Sequence, residues 1–178
     1  MNNYRSTTVL IDCKFNNNTA SEFAGAMSNL DNSVPVLNSC KFNSNSSPLG
    51  GGMYNGMLFD YGGSHPELTD CTFNDNFAEN QGGGMYSEFG SKPILTDCTF
   101  QGNQSSDLGG GLANGEDSLV TLVHCLLWGN TAANAVGEFA QIYDVDLPMP
   151  VINYSCIQGW TGYYGGTGNT GKKSEYIK

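Results

Sequence analysis

Pro93-Ile94-Leu95-Thr96-Asp97-Cys98-Thr99-Phe100-Gln101-Gly102-Asn103 stands 27 residues after Pro66-Glu67-Leu68-Thr69-Asp70-Cys71-Thr72-Phe73-Asn74-Asp75-Asn76. The two stretches agree at proline, leucine, threonine, aspartate, cysteine, phenylalanine and the closing asparagine. Working outward, the six cysteines fall at 13, 40, 71, 98, 125 and 156, with gaps of 27, 31, 27, 27 and 31 residues. A near-constant period of this length means a solenoid, a propeller or an array built from one short unit.

Three more features keep register with the cysteine. Phe15, Phe42, Phe73 and Phe100 follow by two residues, with Leu127 in the fifth copy. Asn18, Asn45, Asn76, Asn103 and Asn130 follow by five. Then comes a run of small residues, Ala24-Gly25-Ala26-Met27, Gly50-Gly51-Gly52-Met53, Gly82-Gly83-Gly84-Met85 and Gly109-Gly110-Gly111-Leu112, with Val136-Gly137-Glu138-Phe139 as a degenerate copy. No apolar pattern with helical period is sustained.

Each unit reads as three short strands: the glycine–methionine segment, the Pro-x-Leu segment and the Cys-x-Phe segment. Residues two apart share one face of a strand, so cysteine and phenylalanine point the same way. Asn-rich and Asp-containing junctions supply the turns. The expected fold is all-β, a right-handed single-stranded parallel β-helix of five to six coils. At the ordinary strand spacing six coils make a rod of roughly 25–29 Å. An antiparallel β-sandwich also contains many short strands, but it does not require identical residues at a fixed period. The whole chain, 1–178, reads as one domain, with repeats over about 8–156 and residues 157–178 as a terminal coil, cap or tail.

The Phe-x-x-Asn unit (Phe15 to Asn18, Phe42 to Asn45, Phe73 to Asn76, Phe100 to Asn103) with its Gly-Gly-apolar partner (Gly51-Gly52-Met53, Gly83-Gly84-Met85, Gly110-Gly111-Leu112) resembles the repeats of chlamydial polymorphic outer-membrane proteins. It is similar also to β-helix repeats of large secreted proteins from environmental bacteria. The resemblance covers about residues 8–143. It implies secretion or display at the cell surface and, in the chlamydial members, adhesion. Those members also carry an autotransporter barrel, which has no counterpart in this sequence.

Composition narrows the partners. Seventeen acids against seven bases leave a net charge of −10. That excludes an electrostatic grip on nucleic acid and on an anionic membrane surface. No apolar run approaches the roughly 18 residues of a membrane-spanning helix. Met1-Asn2-Asn3-Tyr4-Arg5 is too polar for a secretory signal, and the pattern starts almost in mid-coil, as expected for a piece of a longer gene product or a chain without its leader. The cysteines at one repeat position are expected to be free and buried, behaving as small apolar side chains. With no Cys-x-x-Cys pair and two histidines, a zinc site is not expected.

Parallel β-helices also carry lyases and glycoside hydrolases, so carboxylates are the candidate catalytic groups. Asp12, Asp70 and Asp97 precede their cysteines, a slot held by Ser39, His124 and Ser155 elsewhere. Asp70 and Asp97 would lie one coil apart, at the spacing of a retaining pair, although an Asp in a tight turn also accepts its own backbone hydrogen bonds. Glu88, Glu116 and Glu138 sit in or after glycine segments, with Glu88 and Glu138 the further catalytic candidates. There is no Gly-x-Ser-x-Gly nucleophile elbow. Asp144 and Asp146 form an acidic pair able to attract calcium, the cofactor such oxygen-rich loops would take, with Asp60, Asp107 and Asp117 in other loops. Aromatic residues crowd the C-terminal end. Trp128, Trp160, Tyr163 and Tyr164, with Tyr143 and Tyr154, are candidates to stack on sugar rings or to cover the open end of the helix. The expected role is a structural or adhesive binding module for a polysaccharide or a host-surface ligand. The alternative is a polysaccharide lyase or hydrolase on the same scaffold.

Overall fold

A strand of three residues cannot bury an apolar face alone, and its backbone groups need partners. Stacking each strand on its copy one coil away meets both demands. The computed structural model, which describes residues 1–59, 62–144 and 148–176, is an all-β right-handed parallel solenoid of about six turns. The first sheet stacks Asn2–Tyr4, Met27–Leu30, Met53–Gly56, Met85–Ser87, Leu112–Asn114 and Ile142–Asp144. The second stacks Val9–Ile11, Val36–Asn38, Glu67–Thr69, Ile94–Thr96, Thr121–Val123 and Val151–Asn153. The third stacks Lys14–Asn16, Lys41–Asn43, Thr72–Asn74, Thr99–Gln101, Leu126–Trp128 and Cys156–Ile157.

A fourth sheet, of four strands, was not expected. It comprises Ser46–Leu49, Phe77–Gln81, Gln104–Ser105 and Thr131–Ala132. The glycines expected to open the first strand instead lie before it. After the first three fourth-sheet strands the chain reverses at Gly50, Gly82 and Gly109, at φ of 62°, 68° and 60°, and returns against neighbouring backbone. A Cβ on Gly50 would stand 2.2 Å from the Met53 carbonyl oxygen. Only a residue without a side chain permits that approach. The flap so formed covers the outward face of the first sheet, where Tyr54 and Tyr86 pack with Ala24, Leu30, Ala113, Phe23 and Leu49 in a small second core.

The main core runs along the axis as ladders. Met27, Met53, Met85, Leu112 and Ile142 come from the first sheet; Leu37, Leu68, Leu95, Leu122 and Ile152 from the second. Phe42, Phe73, Phe100, Leu127 and Ile157 come from the third. The phenylalanine rings of successive coils stack at 4.8, 4.5 and 4.5 Å, nearly parallel. Such stacking follows from strict parallel register, Phe73 pairing with Phe42 on one side and Phe100 on the other.

Buried amides join the ladders at the corner after the third sheet. The Asn76 side-chain oxygen accepts from the Asn45 backbone N–H at 3.0 Å and from Asn45 Nδ2 at 2.9 Å. Asn76 Nδ2 donates to Asn103 Oδ1 at 2.8 Å and to the Phe42 carbonyl at 2.9 Å. The same bonds recur at Asn45 and Asn103, and Gln141 ends the ladder by accepting from Asn130 Nδ2 at 2.8 Å. A second amide ladder, Asn3–Asn29–Asn55–Ser87, lines the inside of the first sheet. A serine ladder, Ser33–Ser64–Ser91–Ser118, holds the next corner, each backbone N–H donating to the hydroxyl one coil on.

The register corrects the cysteine ladder. Cys156 pairs with Leu126 and not with Cys125. Ser155 takes the cysteine slot, its hydroxyl accepting from the Cys125 N–H at 3.0 Å. The last interval is therefore a 30-residue repeat with the cysteine displaced by one position. Cys156 is nevertheless buried, and all six cysteines are free thiols. The repeats also begin earlier than residue 8, since Asn2–Tyr4 already pairs with the next coil. At the other end Thr167 and Thr170 bridge back to Asn153 and Cys156, so the tail makes a shortened final turn.

Three outcomes follow for stability, each readable by urea unfolding. Phe73→Ala removes a fully buried ring sandwiched between two others and should cost about 3–5 kcal/mol; a loss below about 1 kcal/mol would place Phe73 outside the core. Asn76→Ala orphans the Asn45 N–H and removes the amide's bonds to Asn45, Asn103 and the Phe42 carbonyl, and should cost about 3 kcal/mol or more, against less than about 1 kcal/mol for the outward Asn74→Ala. Equal costs would remove the ladder from the account. Burial pushes the Cys40 thiol up from 9.0 to about 11. Its contribution to stability is complete below 9.0 and lost between 9.0 and about 11, where the unfolded chain ionises first. Stability should therefore fall with rising pH in that window, and less so in Cys40→Ala.

Candidate functional site

With the inward positions filled, chemistry is left to outward side chains. On the second sheet Leu10, Leu37, Leu68, Leu95, Leu122 and Ile152 point inward, so the residues on either side of each point out. One outward column reads Val9, Val36, Glu67, Ile94, Thr121, Val151 and the other Ile11, Asn38, Thr69, Thr96, Val123, Asn153. Val9, Ile11, Val36, Ile94 and Val151 are 64, 65, 40, 45 and 43% exposed. The face is a regular grid of β-branched side chains with two amides, and Glu67 is its one charged residue. Isolated exposed apolar residues are ordinary; a contiguous patch marks an interaction surface.

The candidate acids are dispersed. Asp70 and Asp97 stand in adjacent coils at the corner between the second and third sheets, at φ of 53° and 56°. Asp12, Ser39 and His124 share this left-handed conformation, at φ between 52° and 54°. In the last coil Tyr154, not Ser155, takes it, for the same one-residue reason that displaces Cys156. Each corner residue donates its N–H to a carbonyl in the next coil, Asp70 to Thr96 at 3.1 Å and Asp97 to Val123 at 3.0 Å. Short polar side chains tolerate this geometry best.

Glu88 is half-buried and accepts from Tyr54 Oη at 2.5 Å and Tyr86 Oη at 3.0 Å. Burial first, and then this carboxylate, push both phenols well above their ordinary value. Glu138 opens a one-turn helix, Glu138–Gln141, and is 1% exposed. Its carboxylate accepts from the Thr161 N–H at 2.5 Å and the Thr161 hydroxyl at 2.6 Å, fastening the terminal loop. Glu88 and Glu138 thus hold different parts of the fold together. Asp144 accepts from Asn114 Nδ2 at 3.2 Å, on the inward amide column. Its expected calcium partner Asp146, like Asp60, lies outside the described residues. Asp107 accepts from Asn134 Nδ2 at 2.9 Å. Among the described residues no three His, Cys, Asp or Glu side chains converge as metal ligands.

The four candidate aromatics divide. Tyr164 is 7% exposed and donates to the Ile142 carbonyl at 3.2 Å. With Phe139 and Trp160 it packs against the end of the main core. Tyr163 meets Phe139 and Tyr164 edge-on but remains 59% exposed. Trp128 points out from the third sheet beneath the Lys173 ammonium, 5.9 Å from its ring. The tail continues along this side, where Tyr176 Oη donates to the His124 carbonyl. The four aromatics therefore form no single stacking platform.

Sequence reasoning missed the second-sheet grid. Its signal lies in Val-Leu-Ile, Val-Leu-Asn, Ile-Leu-Thr and Thr-Leu-Val, where at least one β-branched residue stands beside each inward leucine. Among the described residues no helix is long and apolar enough to cross a membrane. No curated protein and no solved structure matches the chain. The family described as "Right handed beta helix region" matches residues 1–127. That span is more than half of the chain, and the chain belongs to the right-handed β-helix family.

Proposed function

We propose that this β-helix is an adhesive module, secreted or displayed at a cell surface, that holds an extended neutral polysaccharide on the outer face of its second sheet. The observation that carries the reading is the exposed grid of Val9, Ile11, Val36, Ile94 and Val151 with the hydroxyls of Thr69, Thr96 and Thr121. Apolar contact with ring faces and hydroxyl or amide contact with ring edges are what a polyol chain offers. With Glu67 the one charge in the grid and a net charge of −10 over the chain, anionic polymers are disfavoured. The backbone beneath is fixed by neighbouring coils on both sides, so little ordering is lost on binding. The likeness to chlamydial surface repeats supports the same setting.

The enzymatic alternative, a lyase or glycoside hydrolase, would need Asp70 with Asp97, or Glu88 with Glu138, as its carboxylates. The corner conformation shared by Asp12, Asp70 and Asp97, and the fastening bonds of Glu88 and Glu138, favour structural duties for all of them.

Co-sedimentation with insoluble cellulose, chitin and xylan tests the proposal. The protein should sediment with at least one of them. Val36→Asp with Ile94→Asp should weaken that binding roughly tenfold or more, because two charges enter a desolvated contact. Both positions are exposed, so the unfolding midpoint should barely move. Failure to bind any of the three polymers, or undiminished binding by the double variant, would reject this face as the adhesive surface.

A further inference from the structure

One outward column of the second sheet is uncharged at every rung but the third, where Glu67 stands. Its copies on either side, Val36 and Ile94, are 40 and 45% exposed, so the carboxylate lies between two apolar side chains. The border of the grid beside it is polar as well. The His65 and Glu67 N–H groups both donate to the preceding coil, at Ser33 and Pro35, and those of Lys92 and Ile94 donate to Ser64 and Pro66. Residues two apart with their N–H groups on one side share a face, so His65 and Lys92 flank Glu67 and Ile94 on the outside of the sheet. The Lys92 N–H is shared between the Ser64 carbonyl and His65 Nδ1, the latter at 3.1 Å. That nitrogen is therefore an acceptor, and the neutral ring carries its proton on Nε2. Burial first, and then Lys92, hold His65 below its ordinary value, which keeps the ring neutral at neutral pH. Among the described residues Glu67 and Lys92 do not pair with each other.

We propose that Glu67, Lys92 and His65 recognise an acetamido group, and that the polymer held on this face is built of N-acetylated amino sugars, as chitin is. The inference rests on the polymer-binding reading of the second sheet and narrows it to one class of sugar. An acetamide has one N–H donor, one carbonyl acceptor and one methyl. Glu67 accepts from the N–H, Lys92 Nζ and His65 Nε2–H supply donors for the carbonyl, and Val36 and Ile94 meet the methyl. Other sugar substituents fit less well. A free ammonium, as in a deacetylated sugar, pairs with Glu67 but meets Lys92 at the same place. A uronic carboxylate is repelled by Glu67. A bare hydroxyl satisfies Glu67 but brings no apolar group to Val36 and Ile94. One coil advances about 4.8 Å, close to one sugar unit of an extended chain, so the third coil reads one sugar while its neighbours hold the next.

Full sedimentation isotherms on chitin, cellulose and xylan test it. The protein should bind chitin about tenfold or more tightly than it binds cellulose or xylan. Glu67→Ala and Lys92→Met, both at exposed positions, should leave the unfolding midpoint in place. Each should lower the affinity for chitin about fivefold or more and narrow its lead over cellulose. Equal binding to the three polymers would overturn the acetamide site while the polymer face stands. A preference for chitin that is unchanged in both variants would overturn it as well. Binding to none of the three rejects the face and this site together, which separates failure of the polymer reading from failure of the acetamide one.

Discussion

The asparagine ladder at the corner after the third sheet is the constraint on which the other features depend. Each amide there accepts two hydrogen bonds from one neighbouring coil and donates to both neighbours, as Asn76 does with Asn45, Asn103 and the Phe42 carbonyl. A buried amide with all its bonds satisfied strengthens a unique arrangement; one left half-satisfied would be costly. The ladder therefore fixes register. A slip of one residue would break every amide bond at this corner and turn the phenylalanines outward. Where the chain gains residues, the first gain lies away from this corner and the second brings Gln141 onto it as the ladder's last amide. The segment from Gly56 to Ser64 is five residues longer than its counterpart in neighbouring coils, and the helix Glu138–Gln141 lies in the other lengthened coil. Asp31 anchors the first insertion by accepting from the Leu58 and Phe59 N–H groups.

Locking the inside this way separates structure from function by face. Inward residues repeat because each must fit its copy at the strand spacing. Outward residues are released from that demand, and there the coils diverge. The second sheet carries Val36, Glu67, Ile94 and Thr121 at one outward position across four successive coils, while the inward position stays leucine. The first sheet carries Ser28, Tyr54, Tyr86 and Ala113 outside, while Met27, Met53, Met85 and Leu112 stay inside. Differences at outward positions, and not the repeat itself, are where binding specificity can reside.

The same division explains what could be read from the residues alone. Cys98-Thr99-Phe100 and its copies display period and face directly, so the solenoid, its inward phenylalanines and its asparagine corner were legible. The fourth sheet was not. Gly-Gly-Gly-Met-Tyr looks like the start of a strand, but close backbone approach and a positive φ at Gly82 place the glycines in a flap. Counting cysteines aligned Cys156 with Cys125, because the eye follows the rarer residue; hydrogen bonding to Ser155 decides otherwise. The second-sheet grid escaped notice because valine and threonine in a strand are expected for any reason. The aromatic residues near the end were placed between sugar binding and capping, and Tyr164 packing on the core shows one of them within the cap.

Native-state hydrogen exchange followed by NMR measures the central claim most directly, because the backbone N–H groups of Asn45, Asn76 and Asn103 each donate to the next amide of the ladder. If the ladder sets the register of the stack, these three amides exchange only when the whole solenoid opens, and their opening free energies equal the global stability from denaturant unfolding. Exchange of these amides at the rate of exposed loop amides, in a protein otherwise folded, would contradict the account.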